Sequence, residues 1–436
     1  MINQLLMIIT LVSIWLSLAM ALIILSSATH FWLKNSNAHA NIKQLARYPL
    51  ITLVVPAHNE AVVIEQTAKA ILNMNYPADK VELLLYADNC EDQTYQIMQK
   101  LVARSNYRQR KIKVINRHGT GGKAGVLNDA LKIAHGEYIG VYDADAMPEK
   151  NALYFLVAKA LEKTEQHVAV FGRNKTRNAD QNFLTRCINQ EIVVTQRIQH
   201  VGMWHLFKIG RIPGTNFIIN TDFVKEIGGW RNGALTEDTD ISFKIMQSGN
   251  LIALAYNSEA FQQEPETLKS YYLQRKRWAK GNYEVVIANF KHLFDRSNWR
   301  VKLETFYYSC TFFWFNAAII LSDIIFIANV IFLFLQLIWP NLTLPFMFAA
   351  SNIYIAQLLF FNWMLMILLF LLQISLAMAT QFGQATTKQI WLALASYFTY
   401  SQLFIVVSLS AVTSVTLDRI FHREGNNWVK TKRFND

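Results

Sequence analysis

Charge is scarce in this chain. Of 436 residues, 17% are Asp, Glu, Lys or Arg, against 52% hydrophobic, an apolar bias for a soluble enzyme. The shortage is uneven: residues 1–27 and roughly 306–417 are nearly free of charge, while the middle has ordinary globular composition. That distribution predicts a soluble domain held between membrane segments. Cysteine is scarcer still. Cys90, Cys187 and Cys310 lie far apart, with no CxxC and no Cys/His cluster, which excludes a disulfide framework and a structural zinc site. Cys310, in apolar surroundings, reads as a small membrane residue. There is no internal repeat and no low-complexity linker. The formal net charge is +11, yet no basic helix, zinc-finger or RNA-binding motif accompanies it, so nucleic acid is not expected as a partner. The excess suits anionic membrane lipids at the cytoplasmic face and a site that binds diphosphates.

Leu5 to Leu25 is long enough to span a bilayer at about 1.5 Å per residue. It lacks a basic n-region and exceeds a usual signal-peptide core, so it reads as an anchor within residues 1–30. Lys34, Lys43 and Arg47 follow, placing the next domain in the cytoplasm by the positive-inside rule. At the other end, apolar stretches near 312–338, 346–374 and 392–416 predict membrane helices within 306–417. Residues 283–305 mix Lys, Arg, Trp and apolar positions and predict an interfacial amphipathic segment. One pass before the domain and three after would put the C-terminus outside. The tail 418–436, with Arg419, Arg423, Lys430, Lys432 and Arg433, argues for inside. The number of passes and the side of the C-terminus stay open on the sequence.

Between 48 and 282 the pattern alternates. Strands are predicted at Ile51–Val55, Val81–Tyr86, Lys111–Asn116 and Tyr138–Tyr142. Helices are predicted at Glu60–Leu72, Asp92–Ala103 and Lys123–Ala134. Such alternation implies an α/β fold with a largely parallel sheet, whose functional loops sit at the carboxyl ends of the strands.

Four clusters fall at such positions or beyond them. Asp88 follows the second strand. Asp143-Ala144-Asp145 follows the fourth, where two carboxylates can hold a hard divalent cation or form a solvated turn. Thr236-Glu237-Asp238 precedes a helical stretch at 239–248. It is either an N-cap with favourable first-turn charges or a general base for an acceptor hydroxyl. Gln274-Arg275-Lys276-Arg277-Trp278 is either a basic face at a membrane surface or a diphosphate-binding Arg beside a sugar-stacking Trp. Gly119 to Lys123 imitates a phosphate loop, but Arg117 and Ala124 stand where that motif needs Gly and Ser/Thr. His58 reads as a packing or hydrogen-bonding residue.

The order and spacing of these clusters resemble the processive family 2 membrane glycosyltransferases, which include cellulose, hyaluronan, chitin-oligosaccharide and poly-N-acetylglucosamine synthases. Pro56-Ala57-His58-Asn59-Glu60 is similar to that family's opening motif, and Gly122-Lys123-Ala124 with Asn128 to the segment before the Asp-x-Asp strand. The resemblance implies a GT-A type nucleotide-sugar-binding domain flanked by transmembrane helices, in the plasma membrane with the catalytic domain cytoplasmic. It implies that Ala57, Glu60, Asp88, Lys123, Asp143, Gln274 and Arg277 contact a UDP-sugar donor, and that Asp143 and Asp145 hold Mg²⁺ or Mn²⁺. Asp238 is implied as catalytic base. Gly214, Thr215, Glu237 and Trp278 are implied to line the acceptor, a growing polysaccharide. Ala87-Asp88 replaces the family's common paired Asp, and Asn89-Cys90 its Gly-Ser. The resemblance allows a small membrane partner subunit, and UDP-N-acetylglucosamine is the donor it favours, UDP-glucose the next. Two rivals remain: a non-processive transferase acting on a lipid-linked acceptor, and a nucleotide-binding transporter or scaffold.

Overall fold

An eight-stranded mixed sheet forms the core of the chain. The structure, a computed structural model, describes residues 2–35, 44–104, 111–162, 167–311, 331, 334–340 and 353–421. The predicted strands appear as β1 (Ile51–Ala57), β2 (Val81–Asp88), β3 (Lys111–Arg117) and β4 (Tyr138–Val141). Every residue of β1, β2 and β4 is buried, as continuous apolar runs covered on both faces should be. The edge strand β3 alternates exposed and half-buried positions and carries Lys111 and Lys113, charges that discourage further strand pairing.

The first half has the expected parallel register. β1 pairs with β2 on one side and β4 on the other, and β2 pairs with β3. The order therefore reverses between β1 and β4, and a crevice opens beyond their carboxyl ends. The second half corrects the expectation of a largely parallel sheet. β7 (Phe217–Asn220) runs antiparallel to β4 and to β6 (His167–Thr176). β8 (Leu251–Gln262) lies parallel to β6, and the two-residue β5 (Met147–Pro148) closes the far edge antiparallel to β8. The reversal has a local cause. The segment 208–216 crosses the rim and enters the sheet beside Val141, so β7 must run back along β4. This crossing segment becomes one wall of the crevice.

Helices pack both faces: α2 (Ile64–Leu72), α3 (Thr94–Val102), α4 (Gly122–Ile133), α5 (Ala152–Ala160), α6 (Phe183–Val194), α7 (Val201–Phe207), α8 (Thr221–Glu226) and α9 (Glu237–Gln247). α2 starts four residues later than expected. Asn59 takes a left-handed φ of 56°, and the amides of Glu60 and Ala61 go to the Thr94 hydroxyl and the Asp92 carboxylate instead of a helix. α10 (Leu268–Asn289) and α11 (Trp299–Ser309) follow. The stretch 283–305 is thus divided between two helices, because Asn298 caps a new start at α11 through the amide of Arg300.

Among the described residues, three helical stretches are long and apolar enough to cross a membrane: Leu11–Asn35, Phe361–Phe382 and Leu403–Ile420. The first belongs to α1 (Ile2–Asn35), the second to α12 (Ile353–Phe382), and the third is α14. The predicted pass at 392–416 is split. α13 (Thr387–Phe398), opened by a Thr386–Gln389 capping box, ends before a turn at 399–402, and α14 begins at Leu403. Most of the expected stretch at 312–338, and the tail beyond Phe421, lie outside the described residues. α1 seats directly on α7. A Cβ at Gly202 would stand 2.4 Å from the Ile24 carbonyl, so only glycine permits this approach, and Ser27 Oγ donates to the Gly202 carbonyl at 2.9 Å. α12 is tied to the sheet through Gln381, whose Oε1 accepts from Arg173 Nη1 and Arg197 Nε, both at 2.7 Å.

Candidate active site

The crevice at the carboxyl ends of β1 and β4 is a cleft of about 560 Å³. It is built from the ends of β1 and β4, the first turn of α4, the crossing segment 208–216 and the facing helices α9 and α10. At the end of β1 the chain turns at His58, whose Nδ1–H donates to the Asp88 carbonyl at 2.8 Å, and presents Glu60 to the cleft. At the end of β4 it presents Asp143 and Asp145. The Asp143 amide donates to Thr215 Oγ1 at 3.0 Å, which locks this carboxylate pair against the crossing segment.

Lys123, in the first turn of α4, is the hinge of the electrostatics. Its ammonium lies 2.7 Å from Asp143, 3.1 Å from Glu237 and 2.8 Å from the Gly214 carbonyl. Burial works against its charge, but Asp143 and Glu237 outweigh it and raise its pKa. Beside it, Asp238 is held in the opposite sense. Burial and the adjacent Glu237 push its carboxyl up to about 7, against the pull of Lys123 and the Thr239 amide, which donates to Oδ1 at 2.7 Å. A carboxylate poised there is matched to accepting a proton near neutral pH. Gly214 sits against it: a Cβ at this position would lie 3.0 Å from Asp238 Oδ2, and its φ of +80° belongs to glycine. Thr236 occupies the cap position of α9 without a side-chain cap bond, so the acids of the first turn work through charge near the helix N-terminus.

α10 closes the cleft. Gln274, Arg277 and Trp278 share one helix face by their i, i+3, i+4 spacing, and all three line the cleft. Arg277 Nη1 reaches the Leu235 carbonyl at 3.4 Å. The Arg275 guanidinium stacks 4.5 Å from the Trp278 ring centroid and meets Glu191 at 3.2 Å.

Of the residues singled out in the sequence, Glu60, Lys123, Asp143, Asp145, Gly214, Glu237, Asp238, Gln274, Arg277 and Trp278 converge on this one cleft. Ala57, Asp88 and Thr215 do not line it. Ala57 is packed in the strand, and Thr215 is buried behind Asp143. Asp88 is turned into a buried ion pair with Arg117, whose Nη1 donates at 2.6 Å while its Nε donates to Asp129 at 2.8 Å. Sequence reasoning missed Glu264, His200, Arg211, Tyr308 and Asn282, which also line the cleft. Glu264 lies just past the end of β8, where a strand-end acid could have been suspected. The others carry no motif.

The donor set fits a hard dication. Asp143 and Asp145 offer oxygen ligands in the cleft lining, and the Lys123 ammonium at 2.7 Å marks a cation position on Asp143. Among the described residues no cage of three or more His, Cys, Asp or Glu forms. Asp143 and Asp145 supply the one or two carboxylates with which proteins commonly hold Mg²⁺ or Mn²⁺ beside substrate phosphates.

A GT-A-like α/β domain with this rim defines a glycosyltransferase. The chain belongs to glycosyltransferase family 2: the family model described as "Glycosyltransferase like family 2" matches residues 49–281, more than half of the chain. It is 33% identical over 395 residues to the "Probable glycosyltransferase YdaM" of Bacillus subtilis, covering 91% of this chain and 89% of that protein. It is 32% identical over 240 residues to the beta-monoglucosyldiacylglycerol synthase of Nostoc sp., covering 54% of this chain and 49% of that protein. It is 25% identical over 248 residues to the poly-beta-1,6-N-acetyl-D-glucosamine synthase of Staphylococcus aureus, covering 55% and 56%. The chain thus spans about half the length of these last two. In fold it is similar to a mannosyltransferase of Pyrobaculum calidifontis solved with GDP-mannose and Mn²⁺, at a TM-score of 0.52 and 15% identity, covering 95% of this chain and all of that one.

Proposed function

We propose that the protein is a membrane-bound, inverting glycosyltransferase that builds a β-linked polysaccharide processively from a UDP-sugar, with UDP-N-acetylglucosamine as first choice, and passes the chain outward. One observation carries this reading: Asp238, raised toward neutrality, shares a cleft with Asp143, Asp145, Arg277 and Trp278. The uracil and ribose lie along Glu60, with the Asp88–Arg117 pair behind them. Asp143 and Asp145 hold Mg²⁺ or Mn²⁺, which neutralises charge on the departing diphosphate when bound. Arg277 donates to that diphosphate, and Gln274 covers it. Lys123 fixes the geometry of Asp143 against Glu237. Asp238 takes the proton of the acceptor hydroxyl as its oxygen attacks the anomeric carbon opposite the leaving UDP, so an α-linked donor gives a β-linked product. Trp278 supports the acceptor ring. The membrane helices keep the domain at the cytoplasmic face, where activated sugars are made.

Processivity rests on the Gln274-x-x-Arg277-Trp278 face. Membranes containing the full chain, given labelled UDP-sugars with Mg²⁺ or Mn²⁺, should form a polymer that linkage-specific hydrolases degrade. A single-sugar lipid as sole product would overturn processivity and favour the second reading, transfer of one sugar to a lipid. That reading is supported by the higher identity to the glucosyldiacylglycerol synthase, 32% against 25%.

A further inference from the structure

The two readings above share a donor half and differ in the acceptor, and the acceptor end of the cleft has its own construction. Its wall is the crossing segment that begins at Arg211. The Ile212 amide donates to Ser242 Oγ at 3.0 Å, and Ser242 Oγ donates to the Asp238 carbonyl at 2.7 Å. Arg211 is thereby placed within the same cleft as Asp238. Its guanidinium is clamped by Glu304 on α11, accepting from Nη2 at 2.9 Å and from Nε. It also stacks on Tyr307 and Tyr308, at 4.9 and 5.0 Å from their ring centroids. Glu304 is 1% exposed and Arg211 13%, so the carboxylate is buried behind a guanidinium that meets the cleft. Tyr308 faces the cleft beside Asp238. The other arginine at this end, Arg275, faces Glu191 and lies near Glu264. His200, the remaining basic group here, is buried against Arg211 and Phe171 and stays neutral.

Arg211 and Arg275 are therefore each paired with a carboxylate, as Lys123 is with Asp143 and Glu237, and Asp145, Asp238 and Glu264 add further carboxyl groups to the same lining. Among the described residues that line the cleft, carboxylates outnumber lysines and arginines, so an anionic acceptor would meet net repulsion. We propose that the acceptor end of the cleft is a charge-compensated pocket that takes a neutral hydroxyl, from a sugar or a diacylglycerol, and rejects a lipid phosphate, and that the Arg211–Glu304 pair sets this selectivity. The proposal rests on the glycosyltransferase reading of the same cleft. Arg211 and Glu304 act here as positioning and specificity residues.

The experiment uses the full chain in lipid nanodiscs with the preferred UDP-sugar and Mg²⁺ or Mn²⁺. A neutral oligosaccharide primer, diacylglycerol and a polyprenyl monophosphate are offered separately and in competition. UDP release and labelled product are both measured. One or both neutral acceptors should be glycosylated, with the labelled product telling sugar from lipid. The polyprenyl phosphate should neither accept nor compete. Glu304→Gln uncovers a cation and should let the polyprenyl phosphate compete at about tenfold lower concentration. The double variant Arg211→Met/Glu304→Gln removes both charges and should restore rejection. Thermal unfolding of each variant separates misfolding from altered selectivity. Glycosylation of the polyprenyl phosphate by the unmodified chain would overturn the proposal while keeping the transferase reading. A competition ratio unmoved in folded Glu304→Gln would overturn the role of the pair. No UDP release with any sugar would overturn the transferase reading itself.

Discussion

Replacing Asp238 with Asn tests the chemistry at its most exposed point, because activity and stability should move in opposite directions. In the folded chain the Asp238 carboxyl rises from 3.8 to about 7, first through burial and then through Glu237. A shift of about 3 units corresponds to at most ~4 kcal/mol of cost for the ionised form. The sign follows from proton binding. Between these two values the folded state holds a proton that the unfolded state has released, so the cost is absent below about pH 4, grows through the window and is complete above about pH 7. Asp238→Asn removes an ionised carboxylate without changing its shape. The variant should therefore melt higher than the unmodified chain at pH 8 in EDTA, and this difference should vanish toward pH 4. Transfer should fall by a factor of about 100 to 10,000, the usual contribution of a positioned base, while UDP still binds. UDP release against pH and thermal melting against pH are the two assays. In the unmodified enzyme activity should fall as the pH drops below about 7, where Asp238 takes up the proton it must be free to accept. Undiminished turnover, or a stability difference that ignores pH, would refute the reasoning.

Three further outcomes follow from the same geometry. Chelation should abolish transfer and Mg²⁺ or Mn²⁺ should restore it, and Asp145→Asn should raise the metal concentration needed for half-activity by about tenfold, measured by titration against UDP release. Gly214→Ala should cost about 1 kcal/mol of stability from its φ of +80° and depress transfer further, since the new methyl crowds Asp238 Oδ2; calorimetry and turnover read the two effects separately. Trp278→Ala should shorten the product while leaving UDP affinity within about twofold, seen by gel sizing of labelled polymer beside UDP titration.

Much of the fold was legible because its signals are local. Continuous apolar runs named β1, β2 and β4, and alternation with helices named the class. The Asp-x-Asp, Thr-Glu-Asp and Gln-x-x-Arg-Trp clusters could be read as one site only through their order, since each alone had a plain structural alternative. Sequence reasoning failed where pairing is made at a distance. The antiparallel β7 follows from where segment 208–216 crosses the rim, a direction no propensity records. The split of 392–416 into α13 and α14 falls at Thr399-Tyr400-Ser401-Gln402, a polar dip too short to mark a break by itself.

Asp88 shows the boundary most clearly. Its place after a strand singled it out and the family resemblance implied a donor contact; the structure pairs it with Arg117, 29 residues later, outside the cleft lining. Arg211 and Glu304 lie 93 residues apart and meet only because α11 packs against the crossing segment. What the amino-acid order fixed alone was the set of functional groups and the strand ends that present them, since hydrophobic period and turn chemistry act within a few residues. Which carboxylate faces the cleft, which cation is already neutralised, and how far Asp238 is driven from its ordinary titration were decided by the tertiary structure. Burial and Coulomb interaction depend on distance through space, and the chain sets those distances only once it has folded.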